Sequence, residues 1–215
     1  MYDECINARS VHGAMSKMLT TLVELQRLKG LDRTGWSLRG LPNGTESVAA
    51  HSFGVGVTAM LLADEFIAQG VSVDVEKVLR MALLHDWAEA RMGDMPRTAT
   101  EYFGSEVRKR AESAAFRDII SDLGNGGSDY AGLYDDYEMR GSLEAHLVKA
   151  ADVIDLLVEA LALERAGARG LDEFWEVVQT ADFKLDDQGQ RIISELFCSL
   201  LSARNEIGWP SGGNG

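Results

Sequence analysis

Val78-Leu79-Arg80-Met81-Ala82-Leu83-Leu84-His85-Asp86-Trp87-Ala88-Glu89 is the stretch on which the reading of this chain turns. Its apolar residues recur at three- and four-residue spacing, the period of a helix with one buried face. That apolar run leads straight into His85-Asp86. Burying a carboxylate is costly unless something pairs with it, and a divalent cation is the strongest such partner. Imidazole and carboxylate together suit Zn, Mn, Fe, Co or Ni. Adjacent helical residues point about 100° apart, so the two reach one ion only from their shared edge. Glu89 follows His85 by four residues and lies on the same face. Taken alone, the pair is better read as a helix-face histidine beside a solvated acid, because the dipeptide is common.

Outward from this stretch the helical period continues in both directions. Helices are expected over residues 7–29, 45–70 and 74–92, with stops at Gly30, Gly70 and Gly93. Thr45 is the expected N-cap of the second, with Glu46 in its first turn. Gly35, Gly40, Pro42 and Gly44 punctuate the loop between the first two, and Pro96 begins a turn. A charged helix is expected over 105–123, a surface loop over 124–128, and a short acidic helical piece over 130–139. A long helix over 143–166 and two more over 172–180 and 186–205 complete the pattern. No strand alternation is sustained and no repeat occurs. The expected fold class is all-α, a helical bundle in one domain over residues 1–207, with a disordered tail over 208–215.

Composition narrows the function. Hydrophobic residues make up 46% and charged residues 26% of 215, which suits a globular domain with a real core. The formal net charge of −13 argues against a nucleic-acid-binding face, since such faces are basic. A small phosphorylated ligand needs only a local basic pocket. Residues 27–39 offer Arg27, Lys29, Arg33 and Arg39 against one acid, Asp32. Two cysteines, Cys5 and Cys198, make no disulfide framework and suit a reduced, cytoplasmic compartment. The start Met1-Tyr2-Asp3-Glu4 lacks the features of a signal peptide. The apolar run from Val153 to Leu163 is interrupted by Asp155 and Glu159, so no membrane span is expected.

Two more helices carry metal-capable side chains on apolar stripes. His51 sits among Val48, Val55, Ala59 and Leu62, and Asp152 lies between Val148 and Leu156 at four-residue spacing. Alone, each fits a hydrogen-bonded core residue. One ion shared with His85 and Asp86 accounts for three costly burials at once. Met15, Met18, Met60 and Met81 are expected to fill the core.

A histidine, then His-Asp some thirty residues on, then a distant aspartate resembles the HD phosphohydrolase superfamily. Arg33-Thr34-Gly35-Trp36, Glu46-Ser47-Val48-Ala49-Ala50-His51-Ser52, Leu84-His85-Asp86-Trp87-Ala88-Glu89-Ala90, Gly93-Asp94-Met95-Pro96 and Lys149-Ala150-Ala151-Asp152 resemble, in order, the motifs of its 5′-deoxynucleotidase branch. The resemblance covers about residues 20–165. It implies that His51, His85, Asp86 and Asp152 hold a divalent transition metal (Co, Mn, Zn or Fe). Glu89 would be the general acid/base, and Arg33 would grip the substrate phosphate. Trp36 would pack on the sugar and Asp94 would bind its 3′-hydroxyl. Lys149 shares a face with Asp152 and could also touch phosphate. A homodimer is implied as well. The branch often has an acid just before the first metal histidine, and here that position is Ala50, which bears on how the ligands are oriented.

The reaction so implied is hydrolysis of a (deoxy)nucleoside 5′-monophosphate to nucleoside and phosphate. Two rivals stand beside it. A nucleoside triphosphate hydrolase of the same fold would need further cations, for which Arg39, Arg97 and Lys109 are available. A catalytically inactive nucleotide sensor is the other, and retention of Glu89 with all four ligands argues against it.

Overall fold

The computed structural model describes residues 12–123 and 125–207. Among them every regular element is helical, and one isolated antiparallel bridge pairs Asp32 with Ser47. The expected tail over 208–215, the first residues of the expected first helix, and Cys5 lie outside the described residues. In chain order the helices are α1 (His12–Leu25), α2 (Thr34–Ser37), α3 (Val48–Ala68), α4 (Val75–Leu84), α5 (Glu89–Met92) and α6 (Arg97–Phe103). They continue with α7 (Ser105–Ile120), α8 (Asn125–Met139), α9 (Leu143–Arg165), α10 (Asp172–Trp175), α11 (Val177–Thr180) and α12 (Asp187–Asn205). Short 3₁₀ turns, Gln26–Lys29 and Ser121–Leu123, extend α1 and α7. No helix among the described residues is long and apolar enough to cross a membrane.

The chain divides into two compact units, Met1–Ser52 with Leu84–Met139, and Phe53–Leu83 with Arg140–Gly215. In the first, Leu84 and Ala88 pack with Ala115, Phe116, Ile120 and Tyr134. Phe116 is fully buried and stacks on Tyr134 at 4.0 Å between ring centroids. Burying one such side chain contributes about 1.5–3 kcal/mol. A second cluster joins Leu28, Val48, Ala90 and Ile119. Arg91 then ties three helices together. Its Nε and Nη2 donate to Glu24 of α1 at 2.6 and 3.1 Å, and its Nη1 donates to Asp118 of α7 at 3.2 Å.

In the second unit, Val55, Ala59, Phe66 and Leu62 of α3 are buried, as their spacing predicts. Along α9, Leu147, Val148, Ala150, Ala151, Leu157 and Ala160 are all fully buried. Ser142 Oγ accepts the Ala145 N–H at the start of α9, and Asp186 accepts the Gly189 N–H at the start of α12. Buried Glu164 accepts two hydrogen bonds from Arg204, at 2.8 and 2.9 Å. Gly54 is a contact position: a Cβ there would run into the Asp155 carboxylate.

Four expectations are corrected. The third helix does not run through His85-Asp86; α4 ends at Leu84 and four turn residues follow before α5. Trp87 N–H bonds Leu84 O and Glu89 N–H bonds Asp86 O, three-residue closures that overwind the chain locally. The cap of α3 is Ser47, whose Oγ accepts the Ala50 N–H, while Thr45 Oγ1 donates to Pro42 O. The glycine-rich break is shorter than expected, because α8 begins at Asn125 and absorbs Gly126 and Gly127. At Gly127 a Cβ would lie 3.0 Å from Ile120 O, so the glycine serves close approach and not a loop. Met18 and Met60 are exposed, at 46% and 38%, while Met81 is core. Residues 97–103 also form a helix the pattern did not predict.

Candidate active site

The broken helix builds the site. Overwinding after Leu84 sets His85 and Asp86 at the end of α4 and starts α5 at Glu89. Leu84 and Ala88 are anchored in the core on either side. His51 comes from the first turn of α3, with 1% of its surface exposed. The His51 and His85 rings meet edge to face, 5.6 Å apart between centroids. Tyr137 of α8 closes on the other side of His85, also at 5.6 Å.

Asp86 Oδ2 is the electrostatic centre of this group. It lies 3.1 Å from His85 Nε2, 3.8 Å from His51 Nε2 and 3.6 Å from Arg33 Nη1. The oxygen is buried, yet none of these approaches has hydrogen-bond geometry. Burial by itself would raise the Asp86 carboxyl. The His85 imidazole, then His51 and the Arg33 guanidinium, outweigh it and hold the group well below the usual carboxylate range. Glu89 behaves oppositely. Burial first, then the carboxylates of Asp86 and Asp94, push it up to about 10 against the pull of Arg33 and Arg108. Its Oε2 is also buried without a hydrogen bond. The two neighbouring carboxyls are thus shifted in opposite directions.

Arg33 reaches this centre through backbone pairing. Arg33 N–H donates to Glu46 O at 2.9 Å and Val48 N–H to Leu31 O at 2.8 Å, so the bridge clamps Arg33 beside the start of α3. Asp94 follows Gly93, whose φ of 78° turns the chain after α5. Its Oδ2 accepts the Thr34 N–H at 2.5 Å, and its carbonyl accepts Thr34 Oγ1 at 2.7 Å. Asp94 therefore holds the residue next to Arg33. Trp36 is 1% exposed and its Nε1 donates to Glu46 Oε2 at 2.6 Å. The indole packs inside the protein and braces the loop, and it offers no open face for a sugar. Arg33, His51, His85, Asp86, Glu89 and Asp94 are thus gathered in the first unit. Asp152 belongs to the second unit, where it sits half-buried on α9 and accepts Lys149 Nζ at 2.7 Å.

The sequence reading missed Arg108. Its side chain is 28% exposed, and its charge interacts with both Glu89 and Asp94. The signal was present: Arg108, Glu112, Ala115, Phe116 and Ile119 recur at helical spacing, so the arginine continues a core-facing stripe. Lys109, singled out earlier, is off that stripe.

The donor set fits a metal. Two imidazoles, an ionised aspartate and buried oxygens lacking hydrogen bonds form a cage that a cation satisfies and water-excluding protein does not. A family model described as HD domain matches residues 25–184. The chain belongs to the HD-domain family. This HD-domain protein is 31% identical over 157 residues to 5′-deoxynucleotidase hdd1 of Schizosaccharomyces pombe, spanning 70% of this chain and 75% of that one. It is 31% identical over 156 residues to the 5′-deoxynucleotidase HDDC2 of Homo sapiens, covering 72% of each. Among solved structures, a conserved hypothetical protein from Pyrococcus furiosus superposes with a TM-score of 0.72 at 36% identity, covering 83% of this chain and 98% of that one.

Proposed function

We propose that this HD-domain protein hydrolyses the phosphate ester of deoxynucleoside 5′-monophosphates, giving nucleoside and phosphate. The observation that carries this reading is the gathering of His51, His85 and Arg33 within 3.8 Å of Asp86 Oδ2, with Glu89 buried on the next turn. The names of the S. pombe and human relatives supply the substrate class.

His51, His85 and Asp86 would hold a divalent transition metal, with Asp152 as the fourth ligand that the family pattern assigns; Co, Mn, Zn and Fe all suit the set. Such an ion, when bound, supplies Lewis acidity and lowers the pKa of water. The chain's own groups do the rest. Arg33 neutralises the phosphoryl oxygens with a planar fork of donors. Water adds to phosphorus as the bond to the 5′-oxygen breaks; Glu89 delivers its proton to that leaving oxygen and regains one from the attacking water. Asp94 binds the sugar 3′-hydroxyl with whatever capacity Thr34 leaves it. Trp36 acts on the sugar side through the loop it braces. A single functional domain, a homodimer and a cytoplasmic setting belong to the same reading. The exposed thiol of Cys198, the described cysteine, supports the last of these.

The test is phosphate and pyrophosphate release from deoxy- and ribonucleoside mono-, di- and triphosphates with Mn, Co, Zn and Mg. Phosphate from dAMP in preference to AMP is expected. Pyrophosphate or triphosphate release from triphosphates alone would replace the monophosphatase reading, and no release with any metal would end it.

A further inference from the structure

α3 turns a second apolar face outward. Phe53, Val57, Met60 and Ile67 recur at four-, three- and seven-residue spacing and all are exposed, Phe53 at 72%. Leu61 flanks them at 59%. That spacing is the seam of a helix lying lengthwise against another helix. The opposite face of α3 is already committed to its own core through Val55, Ala59, Leu62 and Phe66. A helix apolar all round is one that is buried on every side.

The face also has a shape. Leu61 forms the near lip of a cleft of about 470 Å³ between α3, α9 and α12, whose walls include Leu62, Ile154, Val158, Ile192 and Leu196. Phe53, the most exposed knob, precedes Leu61 by eight residues, about 12 Å along the helix axis, and Val57 stands midway. A two-fold axis through Val57, with two copies of α3 antiparallel, sets each Phe53 across the partner's Leu61, at the lip of that cleft. The face is then complementary to itself, as a two-fold interface requires.

Charge and area select the occupant. Each copy carries a net charge of −13, so two copies repel wherever acids meet. From Phe53 to Ala63 α3 holds no charged residue, although 26% of the chain is charged. Beyond that stretch the same axis sets exposed Asp64 opposite the partner's Ala50, so acid does not meet acid. At about 150–250 Å² for a whole large apolar side chain, the five exposed ones present roughly 450 Å². A homodimer of standard size buries about 800 Å² per partner, about 65% of it apolar, which asks for about 500 Å². Half-exposed Val158, beyond the lip, supplies the remainder.

We infer that the outward face of α3, centred on Val57, is the interface that binds a second copy of this chain, with the two α3 helices antiparallel across a two-fold axis. This rests on the homodimer of the reading above and on none of its chemistry.

The experiment is sedimentation velocity on the metal-loaded full chain over a dilution series. The wild type should be a dimer. Val57→Lys sets two like charges against each other at the axis and should weaken the dimer roughly hundredfold or more, with helical content unchanged. Leu19→Glu, on the exposed apolar part of α1, is the control and should stay dimeric. In a Cys5→Ser, Cys198→Ser background, Val57→Cys should give a covalent dimer on mild oxidation, because a residue at the axis meets its own copy. Leu61→Cys in that background should not, since its copies lie too far apart to bridge. If Val57→Lys unfolds, the cross-link decides. A monomeric wild type overturns the inference, as does a dimer that Val57→Lys leaves intact and Val57→Cys does not lock. A dimer broken by Leu19→Glu puts the interface on α1 and overturns it too. Phosphate release from dAMP is followed on the same samples. A dimer that hydrolyses nothing would sink the hydrolase reading and leave the interface standing, and an active monomeric wild type would do the reverse.

Discussion

At the scale of the residue, the proposed reaction would have the two carboxyls of the turn divide the labour. Glu89→Gln keeps the side chain's shape and neutral donor but removes its transferable proton. It should retain metal, by elemental analysis, and lose kcat by roughly 10²–10⁴-fold. Metal loss in that variant would make Glu89 a ligand. Asp94 has two duties that a pair of variants separates. Asp94→Asn keeps an oxygen for the Thr34 N–H, whereas Asp94→Ala abandons it. Asp94→Ala should lower the melting temperature, as loss of a cap costs about 0.5–2 kcal/mol, and should slow dAMP turnover far more than 3′-deoxy-AMP turnover. Equal slowing of both substrates would leave only the structural duty. That His51, His85 and Asp86 come together was legible in the sequence, because each combines metal-capable chemistry with an apolar stripe. Trp36 was legible both as a motif residue and, outside that pattern, as a core aromatic closing the loop, and its burial matches the second. A pattern names an aromatic without saying whether its face is open, and here Glu46 and the protein interior consume it.

At the scale of the element, periodicity placed the long helices and failed where a local closure competes with it. Nothing in the composition of Leu84-His85-Asp86-Trp87 marks the switch from four- to three-residue hydrogen bonding, because the apolar spacing suits either. Gly126 and Gly127 read as a loop because glycine is entropically poor in helices, yet the approach to Ile120 O needs one of them. Gly54 carries a sharper consequence. Gly54→Ala puts a methyl on Asp155, and should destabilise by about 1–3 kcal/mol. The double variant with Asp155→Ala should recover most of that in thermal melts; no recovery would place the strain elsewhere. The Arg91 tie makes a pH-dependent element. The Arg91 hydrogen bond lowers Glu24 below its ordinary 4.5, against the opposing effect of burial. A lowered carboxylate stabilises the fold above that ordinary value, and the contribution is lost as pH falls through the folded one. Arg91→Gln should therefore reduce stability at neutral pH and flatten its loss between about pH 5 and 3, and parallel curves for variant and wild type would refute the assignment.

At the scale of the whole molecule, a chain of net charge −13 that sets two imidazoles and an aspartate around one point would be stabilised by a bound cation. An ion that binds only the folded state adds about 2.7 kcal/mol when its concentration is a hundred times its Kd. Chelation should lower the melting temperature, and Mn, Co or Zn should restore it in wild type but not in His85→Ala. An unchanged melt on chelation would count against a tightly held ion. The fold class was legible from start to finish, since three- and four-residue spacing pervades the chain. The meeting of Arg33 with Asp86 was not, because it depends on the bridge between Asp32 and Ser47, a pairing that no period encodes. That bridge has an evolutionary and practical consequence. It closes the neck of the excursion from residue 34 to residue 45, so the length of that excursion is uncoupled from the spacing between Arg33 and His51. Doubling such a loop costs only about 0.6 kcal/mol in closure entropy. Beyond braced Trp36, near Asn43-Gly44, lineages can lengthen or redecorate the segment, and a reporter peptide can be grafted into it, while the catalytic frame stays where it is.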